Sequence, residues 1–174
     1  LDDNDTSWFA GTHSNTNENA LAMSVTSAGT FNPCFPDGQT SCSLTGILEL
    51  DSAAISKDEQ IVATLKLKEN PNEGKYLTLT HSTAGDTIFG MTLSRYNSDG
   101  TLDTAMGTGG HLQISAGENE VPKGMVELPS GDVLVFGNFV ANDTSQGFVA
   151  KYSQSGVSDT SFGTQLIGVI SVCI

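Results

Sequence analysis

A short phrase that occurs three times constrains the fold of this chain more than any other sequence feature. Its copies are RYNSDGTLDTAMGTGG at residues 95–110, KYSQSGVSDTSFGTQ at residues 151–165 and the divergent MSVTSAGTFNPCF at residues 23–35. Internal similarity at a spacing of tens of residues is typical of repeat architectures. The phrase therefore predicts a fold built from several copies of one structural unit.

Between the copies, apolar and polar residues alternate over short segments, as they do in half-buried strands. After residue 110 the segments HLQIS, MVEL, DVLVFGNF and GFVAKY each fit one strand, with turns at PSGD and SQSG. The same order fits the preceding unit, in which Gly74 lies 57 residues before the equivalent turn glycine, Gly131. Four short strands per unit predict an all-β fold of antiparallel β-propeller blades.

The segment DEQIVATLKLKEN is the place where a helix competes with a strand. Its Glu, Gln, Lys and Leu residues favour helices, but Ile61, Ala63, Leu65 and Leu67 occupy every second position. Strict alternation places these four side chains on one face of a strand. We therefore predict a strand in this segment.

The predicted organisation is a single repeat domain over residues 1–174. It divides into a partial blade at 1–46, whole blades at 47–110 and 111–165, and a lone strand at 166–174 that begins the next or the ring-closing blade. A propeller ring typically closes with about 4–8 blades. About three repeats are too few, so we expect an incomplete ring or one that an oligomer completes.

The phrase resembles the bacterial delta-sixty β-propeller repeat, whose unit reads approximately aryn-pdG-lDtsFG-gG. The resemblance is close over residues 93–110, good over 148–163 and weaker over 21–35, and with the intervening strands it covers nearly the whole chain. It departs from the family at Met106, where phenylalanine is usual, and at NPC in the weakest copy. The resemblance implies a secreted or surface-attached propeller from a large bacterial protein, in a family mostly without assigned activity.

Asn97, Asp99 and Asp103 form an N-x-D-G-x-x-D pattern that matches part of a calcium-binding loop, where alternate residues offer oxygen ligands. The third acidic ligand and the glutamate at the twelfth position are absent. At the equivalent positions of the copy at 151–165, only Asp159 is acidic. We therefore expect Asp103 and Asp159 to accept backbone N–H groups in a loop, with calcium as the alternative, and we expect no cofactor.

The sequence lacks the common catalytic motifs. His13, His81 and His111 stand in no zinc-binding spacing, and no G-x-S-x-G elbow occurs. The glycine-rich stretch MGTGGH leads into the predicted strand HLQIS, whereas a phosphate-binding loop requires a helix behind it. We therefore expect no catalytic residues, and we expect that the chain is not an enzyme.

Two of the three cysteines, Cys34 and Cys42, flank the turn sequence FPDGQTS. A disulfide between them would close a short loop and implies an oxidising compartment. We favour this disulfide over two free thiols. Cys173 remains, either as a buried thiol or as a partner for another chain.

The formal charge of −13, from 20 acids against 7 bases, disfavours nucleic acids and anionic membrane surfaces as partners. No apolar run approaches the roughly 20 residues of a membrane-spanning helix, so we expect no membrane insertion. The chain starts at Leu1 without methionine and ends in the apolar sequence LIGVISVCI. Both ends lead us to expect a chain that continues or that pairs with something.

These observations predict a non-enzymatic scaffold or binding module that is secreted or held at the cell surface. Its expected partners are other copies of itself or further blades, with an extracellular protein or glycan as ligand, as in adhesion or matrix assembly. The alternative is a propeller-type carbohydrate-binding or carbohydrate-active fragment. Against a lectin, no Trp or Tyr is repeated between the copies apart from Tyr96 and Tyr152.

Overall fold

Strands are the only regular secondary structure in the described part of the chain. This computed structural model describes residues 7–14, 18–25, 47–50, 58–84, 87–98, 101–114, 118–141, 144–163 and 169–172. The strands are β1 (Ser7–Ser14), β2 (Glu18–Val25), β3 (Ile47–Leu50), β4 (Asp58–Lys66), β5 (Tyr76–Ala84), β6 (Thr87–Tyr96), β7 (His111–Ile114), β8 (Glu118–Glu127), β9 (Val133–Ala141), β10 (Thr144–Tyr152) and β11 (Val169–Val172). The predicted all-β class is confirmed for these residues.

The strands form three antiparallel sheets in which each strand pairs with its neighbours in sequence. The β1–β3 sheet has three strands, whereas the β4–β7 and β8–β11 sheets have four strands each. Every pairing between neighbouring strands is antiparallel. The two four-stranded sheets thus have the same topology, while the described residues show no closed ring.

The strand that follows each phrase pairs backwards, which corrects the sequence prediction. We expected residues 111–114 to open a new blade, but β7 pairs with β6 and completes the β4–β7 sheet. Likewise β3 pairs with β2, and β11 pairs with β10 instead of standing alone. The reason is local, because the Arg95 amide donates to the Gly110 carbonyl at 3.1 Å and returns the chain to the edge of β6.

The segment with competing helix and strand signals is strand β4, as its alternation predicts. It pairs with β5 along its length, with a register shift between Ile61 and Ala63. A β-bulge of this kind adds one residue to the strand and increases its local twist. The alternation of apolar residues therefore determined the secondary structure of this segment, despite its helix-forming residues.

A turn that ends with a glycine connects the first two strands of each four-stranded sheet, and it is longer at residues 67–75 than at residues 128–132. The Gly74 amide donates to the Leu67 carbonyl, and the Gly131 amide donates to the Leu128 carbonyl, both at 2.8 Å. The two glycines have φ angles of 82° and 78°. Because glycine adopts positive φ without steric cost, it is the natural residue for these turns.

The sheets stack in chain order with a repeated packing relation. Strand β8 lies against β4, β5 and β6 of the preceding sheet, and β4 lies against β1 and β2 of the sheet before it. Among the residues whose side chains are described, the main core lies between the β4–β7 and β8–β11 sheets. Its least exposed members are Leu77, Leu79, Met91, Leu93, Ile114, Val135, Phe148 and Ala150.

Every second side chain in the C-terminal half of β10 faces this core. Phe148, Ala150 and Tyr152 are all buried, and Phe148 contacts Phe139 with ring centroids 6.5 Å apart. Met106 is also buried in the core. The repeated phrase therefore contributes a side chain to the core as well as forming a loop at the surface.

Candidate functional site: the junction between sheets

The copies at 95–110 and 151–165, called here the middle copy and the last copy, fold in the same way. In each, the aspartate amide donates to the carbonyl of the basic residue eight positions earlier. The N–O distance is 2.8 Å from Asp103 to Arg95 and 2.9 Å from Asp159 to Lys151. These bonds close a compact loop after β6 and after β10, so the repeated sequence encodes a repeated structure.

The aspartate side chains hold the next turn of each loop. Oδ1 of Asp103 accepts the Ala105 amide at 3.1 Å, and Oδ1 of Asp159 accepts the Ser161 amide at 3.0 Å. Short polar side chains often satisfy backbone donors two residues ahead in this way. The predicted role of both aspartates as acceptors of backbone N–H groups is confirmed.

In the middle copy, two cations share one buried carboxylate. Oδ2 of Asp103 lies 2.7 Å from Nε of Arg95 and 2.7 Å from Nζ of Lys75. The side chains of Arg95 and Asp103 are only 5% and 9% exposed. We call these three residues the Asp103 cluster, which keeps a net positive charge beside the core.

In the last copy the charges are inverted, since two carboxylates share one cation. Nζ of Lys151 lies 3.0 Å from Oδ2 of Asp132 and 3.0 Å from Oδ2 of Asp159. Asp132 stands directly after the turn glycine of its sheet, where the preceding sheet has Lys75. This Lys151 cluster is more exposed, with side-chain exposures between 23% and 28%.

The Asp103 cluster sets the ionisation of its carboxyl group. Burial alone raises the pKa of Asp103, but hydrogen bonds from Lys75, from the Ala105 amide and from Arg95 outweigh it and hold the pKa below its ordinary value of 3.8. A carboxyl whose pKa is lower in the folded state stabilises the fold above the unfolded-state pKa. That stabilisation is lost as the pH falls through the folded-state pKa.

We therefore expect the free energy of unfolding to decline as the pH falls below about 4. The Asp103→Asn variant has no titrating group at this position and should show a shallower decline. Urea unfolding of both proteins between neutral pH and strongly acidic pH measures the difference. Equal acid dependence in both proteins would show that Asp103 does not stabilise the fold by its charge.

Contacts across the junction begin at the Asp103 cluster. Nη1 of Arg95 donates a hydrogen bond to the carbonyl of Gln154, which lies in the turn of the last copy. Nearby, the Gly107 amide donates to the Ser155 carbonyl at 3.2 Å. The turn of one copy thus rests on the loop of the copy before it, and the phrase joins two sheets.

Side chains of the β8–β11 sheet also bind the turn between β4 and β5. The carboxylate of Glu127 accepts the amides of Lys68 and Glu69 at 2.7 and 3.1 Å. Nε2 of Gln154 donates to the carbonyls of Asn70 and Ser130, both at 2.9 Å. Because these groups come from different sheets, the polar rim of the junction fixes the position of each sheet on its neighbour.

The contacts of Asp103 argue against a calcium site in this loop. Both oxygens of its carboxylate already have partners, and the positive charges of Arg95 and Lys75 oppose a cation. Nδ2 of Asn97 donates to Oγ1 of Thr101 at 3.0 Å, a contact within the turn. Among the described residues, no group of three or more His, Cys, Asp or Glu side chains is arranged to hold a metal ion.

Several predicted residues lie outside the described part of the chain. These are the calcium candidate Asp99 and all three cysteines, Cys34, Cys42 and Cys173. The disulfide between Cys34 and Cys42 therefore stays a prediction.

A serine–histidine contact is a feature that the sequence motifs missed. Oγ of Ser94 lies 2.8 Å from Nδ1 of His111, because these residues pair across β6 and β7. Burial lowers the pKa of His111 below 6.5. The pairing on adjacent strands explains the contact, and the hydrogen bonds described at His111 include no carboxylate that would complete a catalytic triad.

Sequence reasoning also missed Lys75, Glu127 and Gln154, which make several of the polar contacts at the junction. Lys75 and Glu127 lie at the ends of strands that the alternation of apolar and polar residues predicts. No sequence motif, however, shows which residues they bind. Gln154 lies within the phrase, where the equivalent position of the middle copy is Ser98. Its contacts depend on sheet stacking, which a local pattern does not specify.

No protein-family model matches the chain, and no curated protein resembles it significantly. Within the described residues there is no helix of the length and apolar character needed to cross a membrane.

Proposed function

We propose that this chain is a non-enzymatic, extracellular scaffold or binding module built from β-propeller blades, of the kind that the delta-sixty resemblance implies. The observation that supports this most strongly is the use of the repeated phrase. Its most regular polar residues, Asp103 and Asp159, bind neighbouring cations and backbone amides of their own loops. The feature that is repeated is therefore structural and serves to add one sheet to the next.

The arrangement of the sheets supports the proposal of blades. Both four-stranded sheets are antiparallel meanders, and the same packing relation recurs from the β1–β3 sheet to β4 and from the β4–β7 sheet to β8. Propeller blades are four-stranded sheets that pack on one another in chain order. The described stack, of one three-stranded and two four-stranded sheets, leaves a face that further blades or other copies would cover.

The extracellular location is proposed from the sequence. A disulfide between Cys34 and Cys42 requires an oxidising compartment, and the charge of −13 maintains solubility there. Alkylation of the purified protein under non-reducing and reducing conditions, followed by mass spectrometry, tests the disulfide. Free thiols at both positions in protein secreted from cells would contradict it.

The scaffold proposal predicts assembly that depends on protein concentration. Size-exclusion chromatography with light scattering, over a range of concentrations, should show species larger than the 18.2 kDa chain. Assembly should not require added metal or cofactor. A stable, folded 18.2 kDa monomer at every concentration would contradict the self-assembling scaffold.

A further inference from the structure

The outer surface of the β8–β11 sheet, on the side away from the β4–β7 sheet, carries an unusual set of apolar side chains. We call it the terminal face and define it by Val126, Leu134, Phe136 and Val149. Val126 and Phe136 are 44% and 39% exposed. Contiguous apolar side chains on a surface mark an interaction site more often than scattered ones do.

We infer that the terminal face is a docking surface for a second copy of this chain, which binds through the face of its β1–β3 sheet that lies away from β4. The inference rests on the proposed function, and it adds the surface, the partner and the direction of assembly. Its support is the equivalence between this surface and an interface that the structure already contains.

The strand registers establish that equivalence residue by residue. In the β8–β11 sheet, Val126 pairs with Leu134 and Leu134 with Lys151, while Phe136 pairs with Val149. Residues paired directly across strands share a face of the sheet. The β4–β7 sheet has the same rows, formed by the pairs Leu65–Leu77, Leu77–Arg95 and Leu79–Leu93.

In the β4–β7 sheet these equivalent rows form an occupied interface. Leu77, Leu93 and Arg95 line a small crevice together with Val133 and Tyr152 of the β8–β11 sheet. Leu77 is 2% exposed and Leu93 is 0% exposed. The following sheet therefore buries Leu77 and Leu93, whereas no described strand lies on the matching face of the β8–β11 sheet.

The polar edge of the terminal face is also equivalent to the polar edge of the covered face of the β4–β7 sheet. Lys151 stands in the register position of Arg95, whose guanidinium binds the turn carbonyl of Gln154 in the next sheet. Unlike the Asp103 cluster, the Lys151 cluster has an excess of carboxylate. We therefore expect the incoming turn to place a hydrogen-bond donor or a cation there, together with its carbonyl groups.

Stacking in one direction determines which surface of the second copy binds. The β4–β7 sheet contacts the sheet before it through β4 and the sheet after it through β4, β5 and β6. The β1–β3 sheet already has β4 on one side, so its other side is the counterpart of the terminal face. Such a head-to-tail contact is heterologous, and it produces a closed ring, which two copies of three sheets each suffice to form, or an open filament.

Substitution of the terminal face tests this assignment. Phe136→Lys and, separately, Val126→Lys place a charge in the proposed interface at partly exposed positions. Each should raise the concentration for half-maximal assembly at least tenfold in light scattering. Val157→Lys is the matched control, because Val157 is 64% exposed but lies in the phrase loop outside the sheet. Circular dichroism and thermal melting confirm that each variant folds.

The outcomes distinguish this inference from the proposed function. If the wild type assembles and both face variants assemble equally well, the docking surface is wrong while the scaffold stands. A ring of two copies, which brings six sheets together, and an open filament both support the head-to-tail contact. In mixtures, the Phe136→Lys chain still offers its β1–β3 sheet, so it should form mixed assemblies with wild-type chains although it does not assemble alone. Absence of mixed assemblies would overturn the proposed direction.

Discussion

The Asp103→Asn variant is expected to lose about 3 kcal/mol of unfolding free energy at neutral pH, the scale measured when one member of a buried ion pair is removed. The carboxylate of Asp103 neutralises Arg95 and Lys75 at 2.7 Å each, and Arg95 is 4% exposed. Asparagine keeps the shape and the acceptor for the Ala105 amide but removes the charge. Chemical denaturation followed by circular dichroism or fluorescence measures the loss.

The last copy supplies the matched control for this prediction. Asp159→Asn makes the same chemical change at the equivalent loop position, where the side chain is more exposed and Lys151 keeps a second carboxylate partner in Asp132. Its effect should therefore be a small fraction of the Asp103→Asn effect. Equal losses in the two variants would contradict the view that burial by the next sheet makes the Asp103 cluster important.

The second large effect is expected at Leu79, whose side chain is fully buried on the face between the two four-stranded sheets. Truncation to alanine removes apolar contacts and leaves a cavity, so Leu79→Ala should lower the unfolding free energy by about 3 kcal/mol. Urea denaturation measures this change, because the midpoint and the slope of the unfolding transition together give the free energy of unfolding.

Phe136 provides the comparison, because it occupies the equivalent position in the next sheet and is 39% exposed. Phe136→Ala should destabilise the monomer less than Leu79→Ala does, although phenylalanine is the larger side chain. The comparison is made at a concentration where the chain is monomeric. A greater loss for Phe136→Ala would show that the terminal face is already covered in the monomer.

Much of the local structure could be predicted from the sequence because it depends on local rules. Alternation identified β4 despite its helix-forming residues, and the position of glycine identified the turns at Gly74 and Gly131. The acceptor role of Asp103 also followed, since an aspartate two residues before a free amide commonly caps it. Each of these features involves residues close together in the chain.

Features that depend on distant partners could not be predicted in the same way. Alternation places residues 111–114 in a strand, but it does not say whether that strand pairs with β6 or with β8. The charge inversion between the two clusters became visible only when Lys75 and Asp132 were found at equivalent positions. The Gln154 contacts join residues more than 80 positions apart at their longest. The family resemblance and the extracellular role stay proposals.

The central claim is that the repeated phrase and its neighbouring residues bind one sheet to the next. Amide hydrogen exchange resolved by residue tests it most directly, because three amides donate across the junction: those of Gly107, Lys68 and Glu69. In the folded protein these three should be protected to a degree comparable with the amides of the central strands β5 and β9. Exchange at intrinsic rates for all three, while β5 and β9 remain protected, would contradict the claim.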